Sequence, residues 1–483
     1  MCYVQGINRD QTLLLPEVID EYVDDDNPVR FIDAYVDGLN LIELDFSYAE
    51  TKETGRPPYN PGDMLKLYIY GYLNRVRSSR RLEKEAHRNL EVIWLLCKLR
   101  PDFKTIADFR KDNCESIKKV CRDFTLLCKK LNLFDRQLIA IDGSKFSAVN
   151  HNNNAYTQKK IKKLVDRIEK QVAQYLTDLE HLDECEKDSK KPSTQELKKQ
   201  IENLKTRQNK LLNIKKQIET SGQSQVTTTD SDSRMMHTTK GNDVSYNVQI
   251  ATDSKHKLIV DFEVTNDTND QNQFSHMAIK AKNTLQVSQL EAVGDMGYYA
   301  ATEVKKCVDE NITCYIPKPR KSTSANSGLF GKDDFQYDPI NDCYICPAKQ
   351  KLPNRRQVVR RGKQTKVYES PVCQMCEIKN KCTRSKRSRL IRRYVIEDVM
   401  DEMHLRVAEN PDKIKLRKQL VEHPFGTIKH SWNHSYFLTR GFKKVSGEMA
   451  LSVLAYNMKR VMNIIGIKEL LELLNKGPVY STI

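Results

Sequence analysis

The stretch 138-LIAIDGSK-145 joins four apolar residues to the sequence Asp-Gly-Ser-Lys. A short apolar run that ends in turn-forming residues predicts a buried strand that stops at a turn. The stretch 289-QLEAVGD-295 has the same plan, and Met-Gly-Tyr-Tyr follows it. In open α/β sheets, functional sites gather where strands end. We therefore expect Asp142 and Asp295 to project at one edge of a sheet.

With a third carboxylate from a helix, two aspartates at such an edge can hold a pair of divalent cations about 3.5–4 Å apart. Mg²⁺ prefers hard oxygen ligands, so three carboxylates suffice when phosphate oxygens and waters complete its shell. Taken singly, however, Asp142 or Asp295 is better explained as a turn or capping residue. The metal-site interpretation therefore depends on the two aspartates lying together.

The bulk composition of the 483-residue chain favours a nucleic-acid partner. Its 80 Lys and Arg residues outnumber its 64 Asp and Glu, which gives a formal net charge of +16. Such an excess favours a polyanionic partner, nucleic acid before membrane. No stretch approaches the roughly 20 apolar residues of a membrane span, so we expect a soluble, intracellular protein with no membrane partner.

Residues 1–130 are predicted to be a helical domain, with short helices over the run 64–99 and a helix start near Thr105. A basic patch within it suits contact with a DNA backbone, although a plain solvated surface is the alternative. The basic residues of this patch are Arg75, Arg77, Arg80, Arg81, Lys84 and Arg88.

Residues 155–222 carry apolar residues at heptad-like spacing in two series, separated by the turn-like 185-CEKDSKKPS-193. This pattern predicts two helices in an antiparallel, coiled-coil hairpin. Because strand-like sequence resumes after it, the hairpin is an insertion. It serves either as an intramolecular prop or as a dimerisation element, and the sequence favours neither.

The remaining pattern runs from a hairpin over 244–267 to a helix at about 272–285, the strand ending at Asp295, a helix near 300–310 and a strand over 313–319. Helical sequence returns near the C-terminus. This order predicts an α/β sheet with two insertions.

The second insertion is a Cys-rich, basic block at 331–393. Two CxxC pairs about 26 residues apart match a zinc ribbon, in which four thiolates close a tetrahedral structural site. Unmetallated thiols in a loop are the alternative, and a fifth cysteine is left over. The cysteines of the block are Cys343, Cys346, Cys373, Cys376 and Cys382.

Several passages resemble bacterial insertion-sequence transposases of the DDE, RNase H-like type. They cover nearly the whole chain in the family's order. The matching passages are QTLLLPEVIDEYVDDDNPVR (11–30), TGRPPYNPGDMLKLYIYGYLNRVRSSRRLE (54–83), PDFKTIADFRKDN (101–113), AIDGSKFSAVN (140–150), YNVQIATDSKHKLIV (246–260), GDMGYY (294–299), VEHPFGTIKHSW (421–432) and FLTRG (437–441). Gly294 and Met296 depart from the family's usual residues around the second aspartate.

The resemblance implies that Asp142, Asp295 and Glu422 are catalytic and hold two Mg²⁺ or Mn²⁺ ions. It also implies that Lys429 touches phosphate near the cleaved end, with Arg417 or Lys418 as a second basic contact. The signature of some relatives has Tyr where this chain has Lys at position 415, which weakens the transfer of the basic contacts. Pro424 disfavours helix at the preceding residue, so we expect the helix of Glu422 to kink or end there.

The resemblance further implies an RNase H-like catalytic domain over 131–470, followed by a tail at 471–483. The implied function is metal-dependent cleavage of the ends of an insertion sequence and strand transfer into target DNA. The implied location is a bacterial cytoplasm, where the protein associates with the nucleoid when it is bound to DNA. The partners would be double-stranded DNA, both terminal repeats and target, and a second copy of the chain in a dimer or larger synaptic complex. Two alternatives stay open: a catalytically inactive DNA-binding relic, and an RNase H-like nuclease without strand transfer.

Overall fold

The computed structural model of the chain describes residues 18–50, 57–184, 194–239, 241–319, 328–360 and 362–475. The helices are α1 Pro28–Asp37, α2 Pro61–Leu73, α3 Ser79–Arg88, α4 Leu90–Leu95, α5 Phe103–Asp112, α6 Cys114–Lys130, α7 Gln158–Glu184, α8 Thr194–Ser221, α9 Phe274–Leu285, α10 Ala301–Asp309, α11 Lys379–Cys382, α12 Asp398–Glu409, α13 Pro411–Phe425, α14 Phe442–Ile465 and α15 Ile467–Asn475. The strands are β1 Leu138–Ser147, β2 Ala155–Thr157, β3 Gln225–Thr227, β4 Arg234–Thr238, β5 Gly241–Asp253, β6 Ile259–Thr265, β7 Leu290–Val293, β8 Ile312–Tyr315, β9 Gln336–Asp338, β10 Cys343–Ile345, β11 Lys351–Arg360, β12 Lys363–Tyr368 and β13 Ile391–Tyr394. The predicted mixed α/β class is confirmed.

The larger sheet is built around β1. Strand β5 pairs with it antiparallel on one side, and β7 pairs with it parallel on the other. Strand β8 extends the sheet parallel to β7. The outer edge of β5 carries β4 and β6, both antiparallel to it. The long strand β5 therefore runs against all five other strands of this sheet, β4, β6, β1, β7 and β8.

Strand β1 does not stop at a turn after Asp142, so that prediction was wrong. The strand continues to Ser147, because its antiparallel pairing with β5 extends from Ile139 to Ser147. Pairing with β7 covers only Leu138 to Ala140. Beyond Ala140 the strand keeps β5 as its partner, and its last residue, Ser147, also bridges to Tyr436. The turn-forming residue types were overridden by pairing with the long strand β5.

The N-terminal helices and the large sheet share one hydrophobic core. The long helix α14, buried along most of its length, joins them, because it packs against α2 and α6 as well as β6.

Helix α5 begins at the N-cap Asp102, which accepts hydrogen bonds from the backbone N–H groups of Lys104 and Thr105. The predicted start near Thr105 was therefore three residues late, since an aspartate cap is at least as favourable as threonine.

Helices α7 and α8 pack side by side, as the heptad-like spacing predicted. Their seam is a hydrophobic cluster of its own, built on Ile161, Ile168, Leu211 and Ile218. The short antiparallel strands β2 and β3 close the base of the hairpin. The predicted turn at 185–193 lies outside the described residues.

The Cys-rich block folds as a second sheet, in the order β13-β12-β11-β10-β9. All of its strand pairs are antiparallel. It has a separate small core, formed by Phe335, Tyr344, Leu352, Tyr368 and Ile391.

Helix α13 runs through Pro424 to Phe425, so it does not end at His423, and the alternative of a kink there stays a prediction. A π-helical segment, Gly426–Ser431, follows directly. Proline at this position removes one backbone donor close to the helix end, where the ladder of hydrogen bonds is already changing. Among the residues that the structure describes, no helix is long and apolar enough to cross a membrane.

Candidate active site

The register of the parallel strands brings the two predicted aspartates to one edge. Ala140 of β1 lies opposite Val293 of β7 in the last pair of that ladder. Asp142 and Asp295 each follow two residues later on extended backbone, Asp142 still within β1 and Asp295 just past the end of β7, so both lie beyond the same rung. Side chains two residues apart on a strand share a face. The two carboxylates therefore belong to the same face and edge.

The carboxyl group of Asp142 is largely enclosed. Burial raises its pKa to about 6, Arg417 opposes this shift, and the charges of Asp295 and Asp270 add to it. Arg417 approaches Asp142 at 3.5 Å between its Nη1 and Oδ1. That nitrogen is buried and makes no hydrogen bond of good geometry. A metal ion bound to Asp142 would therefore displace Arg417, whose Nη1 makes no hydrogen bond to this carboxylate.

Lys429 lies against the same strand. Its Nζ donates hydrogen bonds to the Ser144 hydroxyl and to the Lys145 carbonyl, both at 2.8 Å. The ammonium also lies 5.0 Å from the centre of the Phe146 ring. The π-helical segment thus places the Lys429 ammonium beside β1, at the residues two and three positions after Asp142.

Glu422 lies on the exposed side of α13. Its neighbours Leu420 and Val421 are buried against Ala140, which fixes the helix across β1. Within the described ranges, no three His, Cys, Asp or Glu side chains are grouped so that they could hold a metal ion. The structure therefore brings α13 to the edge of Asp142 and Asp295, but it does not join Glu422 to them as a third ligand. Lys418, on the same helix, is exposed.

Sequence reasoning missed Asp270. Its Oδ1 accepts hydrogen bonds from Lys145, Asn247 and Gln249, and its charge acts on Asp142. The residue lies in a polar loop between β6 and α9, a context in which an aspartate is ordinary. Only the pairing of β5 with β1 brings its partners to the site.

Four of the five cysteines line one cavity of about 20 Å³ in the Cys-rich sheet, namely Cys346, Cys373, Cys376 and Cys382. Burial raises the pKa of the Cys382 thiol, and the other three thiols raise it further. Cys343 does not line this cavity. It is buried within β10, where it faces Pro353 of β11 in the ladder.

The basic patch divides into one buried and several exposed members. Arg77 is 7% exposed and donates to the carbonyl of Tyr436 while pairing with Glu448 at 3.4 Å. This burial favours a structural role over the predicted DNA contact. The exposed members of the patch are Arg75, Arg80, Arg81, Lys84 and Arg88.

Two aspartates at adjacent parallel strands, with an arginine and a lysine beside them, define a site suited to phosphoryl transfer on a polyanion. Family comparison agrees with that class. Residues 17–112 match a family described as a transposase domain, and residues 345–462 match the transposase DDE domain. The second match contains Glu422 and Lys429. Both matches support an insertion-sequence DDE transposase, an enzyme of the polynucleotidyl-transferase type whose partner is DNA, and the expected resemblance is confirmed.

No curated protein matches the chain significantly. Among solved structures, the cryo-EM structure of a piggyBac transposase synaptic complex with hairpin DNA matches at 8% identity, over 95% of this chain and 87% of that one. The TM-score of 0.25 is too low for any argument about this fold.

Proposed function

We propose that the chain cleaves the ends of an insertion sequence and joins them to target DNA, with Asp142, Asp295 and Glu422 as its catalytic carboxylates. The observation that carries this proposal is the shared edge of Asp142 and Asp295, two residues beyond the pair Ala140 and Val293. The raised pKa of Asp142 supports it, because a half-buried carboxylate beside other carboxylates favours a bound cation.

The sheet supports an RNase H-like core. Five strands lie in the order β6, β5, β1, β7, β8, and only β5 runs against the others. Helix α13 covers the face of β1 that bears Ala140. We propose that this sheet and helix are the catalytic unit of the domain at 131–470.

The donor set fits divalent metal ions of the Mg²⁺ and Mn²⁺ type, because hard cations prefer carboxylate oxygens. Asp142 and Asp295 would hold them, and Glu422 would complete the site by a rearrangement of its side chain or of α13. When bound, two such ions activate the attacking water or 3′-hydroxyl and stabilise the leaving oxygen. Lys429 would hold the phosphate of the cleaved strand, and Arg417 would turn from Asp142 to the same phosphate.

The test is cleavage and joining of DNA that carries the ends of the encoding element, in Mg²⁺ or Mn²⁺. The variants are Asp142→Asn, Asp295→Asn and Glu422→Gln. Each should lower both reactions by at least about 100-fold, since the carboxylates act as a unit. Asp412→Asn is the matched control, because Asp412 is a 91% exposed carboxylate on the same helix.

Metal-dependent nicking and joined product, lost in the three variants and kept in the control, would support the proposal. Nicking without joining would favour the nuclease. Binding of the ends without cleavage in either metal would favour the DNA-binding relic. Full activity of Glu422→Gln alone would remove Glu422 from the site and leave the third carboxylate to another residue.

We also propose a structural zinc ion in the Cys-rich sheet, held by Cys346, Cys373, Cys376 and Cys382. The cavity that they line, about 20 Å³, has room for one ion or water. The backbone N–H of Gln350 donates a hydrogen bond to the sulfur of Cys346 at 3.3 Å, which orients this side chain at the cavity. As they stand, these thiols are not in ligand geometry, so binding requires them to close around the ion.

Metal analysis of the purified protein tests this assignment. One zinc per chain is expected in the wild type and in Cys343→Ser, and a substoichiometric amount in Cys373→Ser or Cys382→Ser. Retention of zinc by the latter two variants, or its loss in Cys343→Ser, would refute the ligand set.

The remaining expectations become proposals about assembly. The helical hairpin at 155–222 and the Cys-rich module at 331–393 each have a separate core, which supports treating them as insertions. We propose that DNA is bound by the exposed arginines of the 1–130 region and by the Cys-rich module, in a homodimer or larger synaptic complex. The apolar seam residues of α7 and α8 pack against each other within the chain, which favours the role of an intramolecular prop over dimerisation. Light scattering with and without end DNA would measure the oligomeric state.

A further inference from the structure

A polar network, partly exposed at Asp270 and buried at Gln249 and Tyr298, connects the strand of Asp142 with the turn of Asp295. Its centre is Asp270, whose Oδ1 accepts hydrogen bonds from Lys145 at 3.0 Å and from Asn247 and Gln249 at 2.7 Å each. Lys145 belongs to β1, and the two amides belong to β5. One oxygen atom therefore joins both strands beside the site.

The network continues to the other aspartate. The Gln249 oxygen accepts a hydrogen bond from the Tyr298 hydroxyl. Tyr298 ends the short turn that Asp295 caps, where Asp295 Oδ1 accepts the backbone N–H of Gly297 at 2.8 Å. Gln249 and Tyr298 are both almost completely buried, so water cannot replace their partners.

Gly143, next to Asp142, is what lets the network reach β1. It lies directly opposite Gln249 in the ladder. A Cβ at position 143 would lie 2.2 Å from the Gln249 amide nitrogen and 2.7 Å from the Asp270 carboxylate. The close approach of these groups explains the glycine physically, with no need for an unusual backbone conformation.

We propose that Asp270 is a positioning residue, which through Gln249 and Tyr298 sets the spacing of Asp142 and Asp295 for metal binding. This inference rests on the proposed function of those aspartates. Residues that orient metal ligands typically change metal affinity or activity by about 10- to 100-fold when replaced. Asp270 acts here as an acceptor of three hydrogen bonds, so an oxygen in the same place should serve almost as well.

The experiment measures binding of Mn²⁺ to the full chain without DNA, by electron paramagnetic resonance of the free ion. Asp270→Ala should weaken the tightest site at least about 10-fold, and Asp270→Asn should stay within about threefold of the wild type. Tyr298→Phe, which removes one hydroxyl from a ring that otherwise fits, should weaken it in the same direction. Asp261→Ala is the control, because Asp261 is a similarly paired, 17% exposed carboxylate away from this network.

Wild-type affinity in folded Asp270→Ala, or equal weakening in Asp270→Asn and Asp270→Ala, would overturn the proposal. No binding of Mn²⁺ by the wild type would overturn it as well. The cleavage assay is read separately. A chain whose Mn²⁺ affinity depends on Asp270 but which cuts no DNA would contradict the proposed function and leave the positioning role standing.

Discussion

Two ionisable side chains, the half-buried Asp142 and the buried His434, have pKa values that are shifted toward the neutral form. Asp142 keeps a raised pKa because burial and neighbouring carboxylates disfavour its ionised form. His434 shows the same effect with the opposite sign. It is 2% exposed, and burial, with the charges of Arg77 and Arg75, lowers its pKa to about 3. Each residue resists the charge that it would carry in water.

The His434 shift predicts a pH dependence of stability. Below about pH 6.5 the His434 imidazole takes up a proton in the unfolded chain, whereas in the folded chain this imidazole stays neutral down to about pH 3. The free energy of unfolding should therefore fall with decreasing pH, by up to about 1.4 kcal/mol per unit from this group. Urea unfolding at about pH 5.5 and 4.5 should show a smaller fall in His434→Gln than in the wild type. His237→Gln, at an exposed histidine, should keep the wild-type fall; equal slopes in all three proteins would contradict the prediction.

At the scale of elements, the apolar residues at heptad-like spacing in α7 and α8 pack against each other within one chain. The seam residues Ile161 and Ile168 of α7 meet Leu211 and Ile218 of α8, and they form a cluster separate from the main core. A unit with its own small core can open locally while the rest stays folded.

Ile168→Ala should therefore loosen the hairpin without unfolding the sheet. Removing a buried isoleucine side chain costs about 2–5 kcal/mol. Amide hydrogen exchange should quicken in α7 and α8 and stay unchanged in β1 and β5. Leu176→Ala is the control, since Leu176 is 46% exposed on the same helix. Faster exchange throughout the sheet would show that the hairpin is not an independent unit.

At the scale of the whole molecule, a buried ion pair connects the N-terminal region with helix α14. Glu448 of α14 is 1% exposed and accepts hydrogen bonds from the backbone of Leu438 and Thr439. Arg77, between α2 and α3, pairs with the same carboxylate at 3.4 Å. Residues far apart in sequence are joined by one charge pair.

Glu448→Ala should lower the free energy of unfolding by about 3–5 kcal/mol, because it leaves Arg77 buried without its carboxylate. Urea unfolding measures the loss. The double variant Glu448→Ala with Arg77→Met should recover part of it, since the stranded charge is gone. Glu402→Ala, at a carboxylate 67% exposed on α12, should change stability little. No recovery in the double variant would assign the loss to the backbone hydrogen bonds alone.

Elements whose signal is local could be predicted from the amino-acid sequence. A short apolar run indicated the strand at 138–145, β-rich runs indicated the hairpin at 244–267, and heptad-like spacing indicated the paired helices at 155–222. Asp142 and Asp295 were candidates because each follows a short apolar run. The resemblance to insertion-sequence transposases added the class of enzyme, which the family matches confirm.

Which of these groups meet depends on how elements distant in the chain pack together. Parallel pairing of β1 and β7, about 150 residues apart in the chain, sets Asp142 and Asp295 beyond one rung. The same packing buries Arg77, gathers four of five cysteines in one cavity, and brings Asp270 to the site. Local patterns report which face of an element is apolar, whereas the partner of a polar side chain depends on how distant elements pack together.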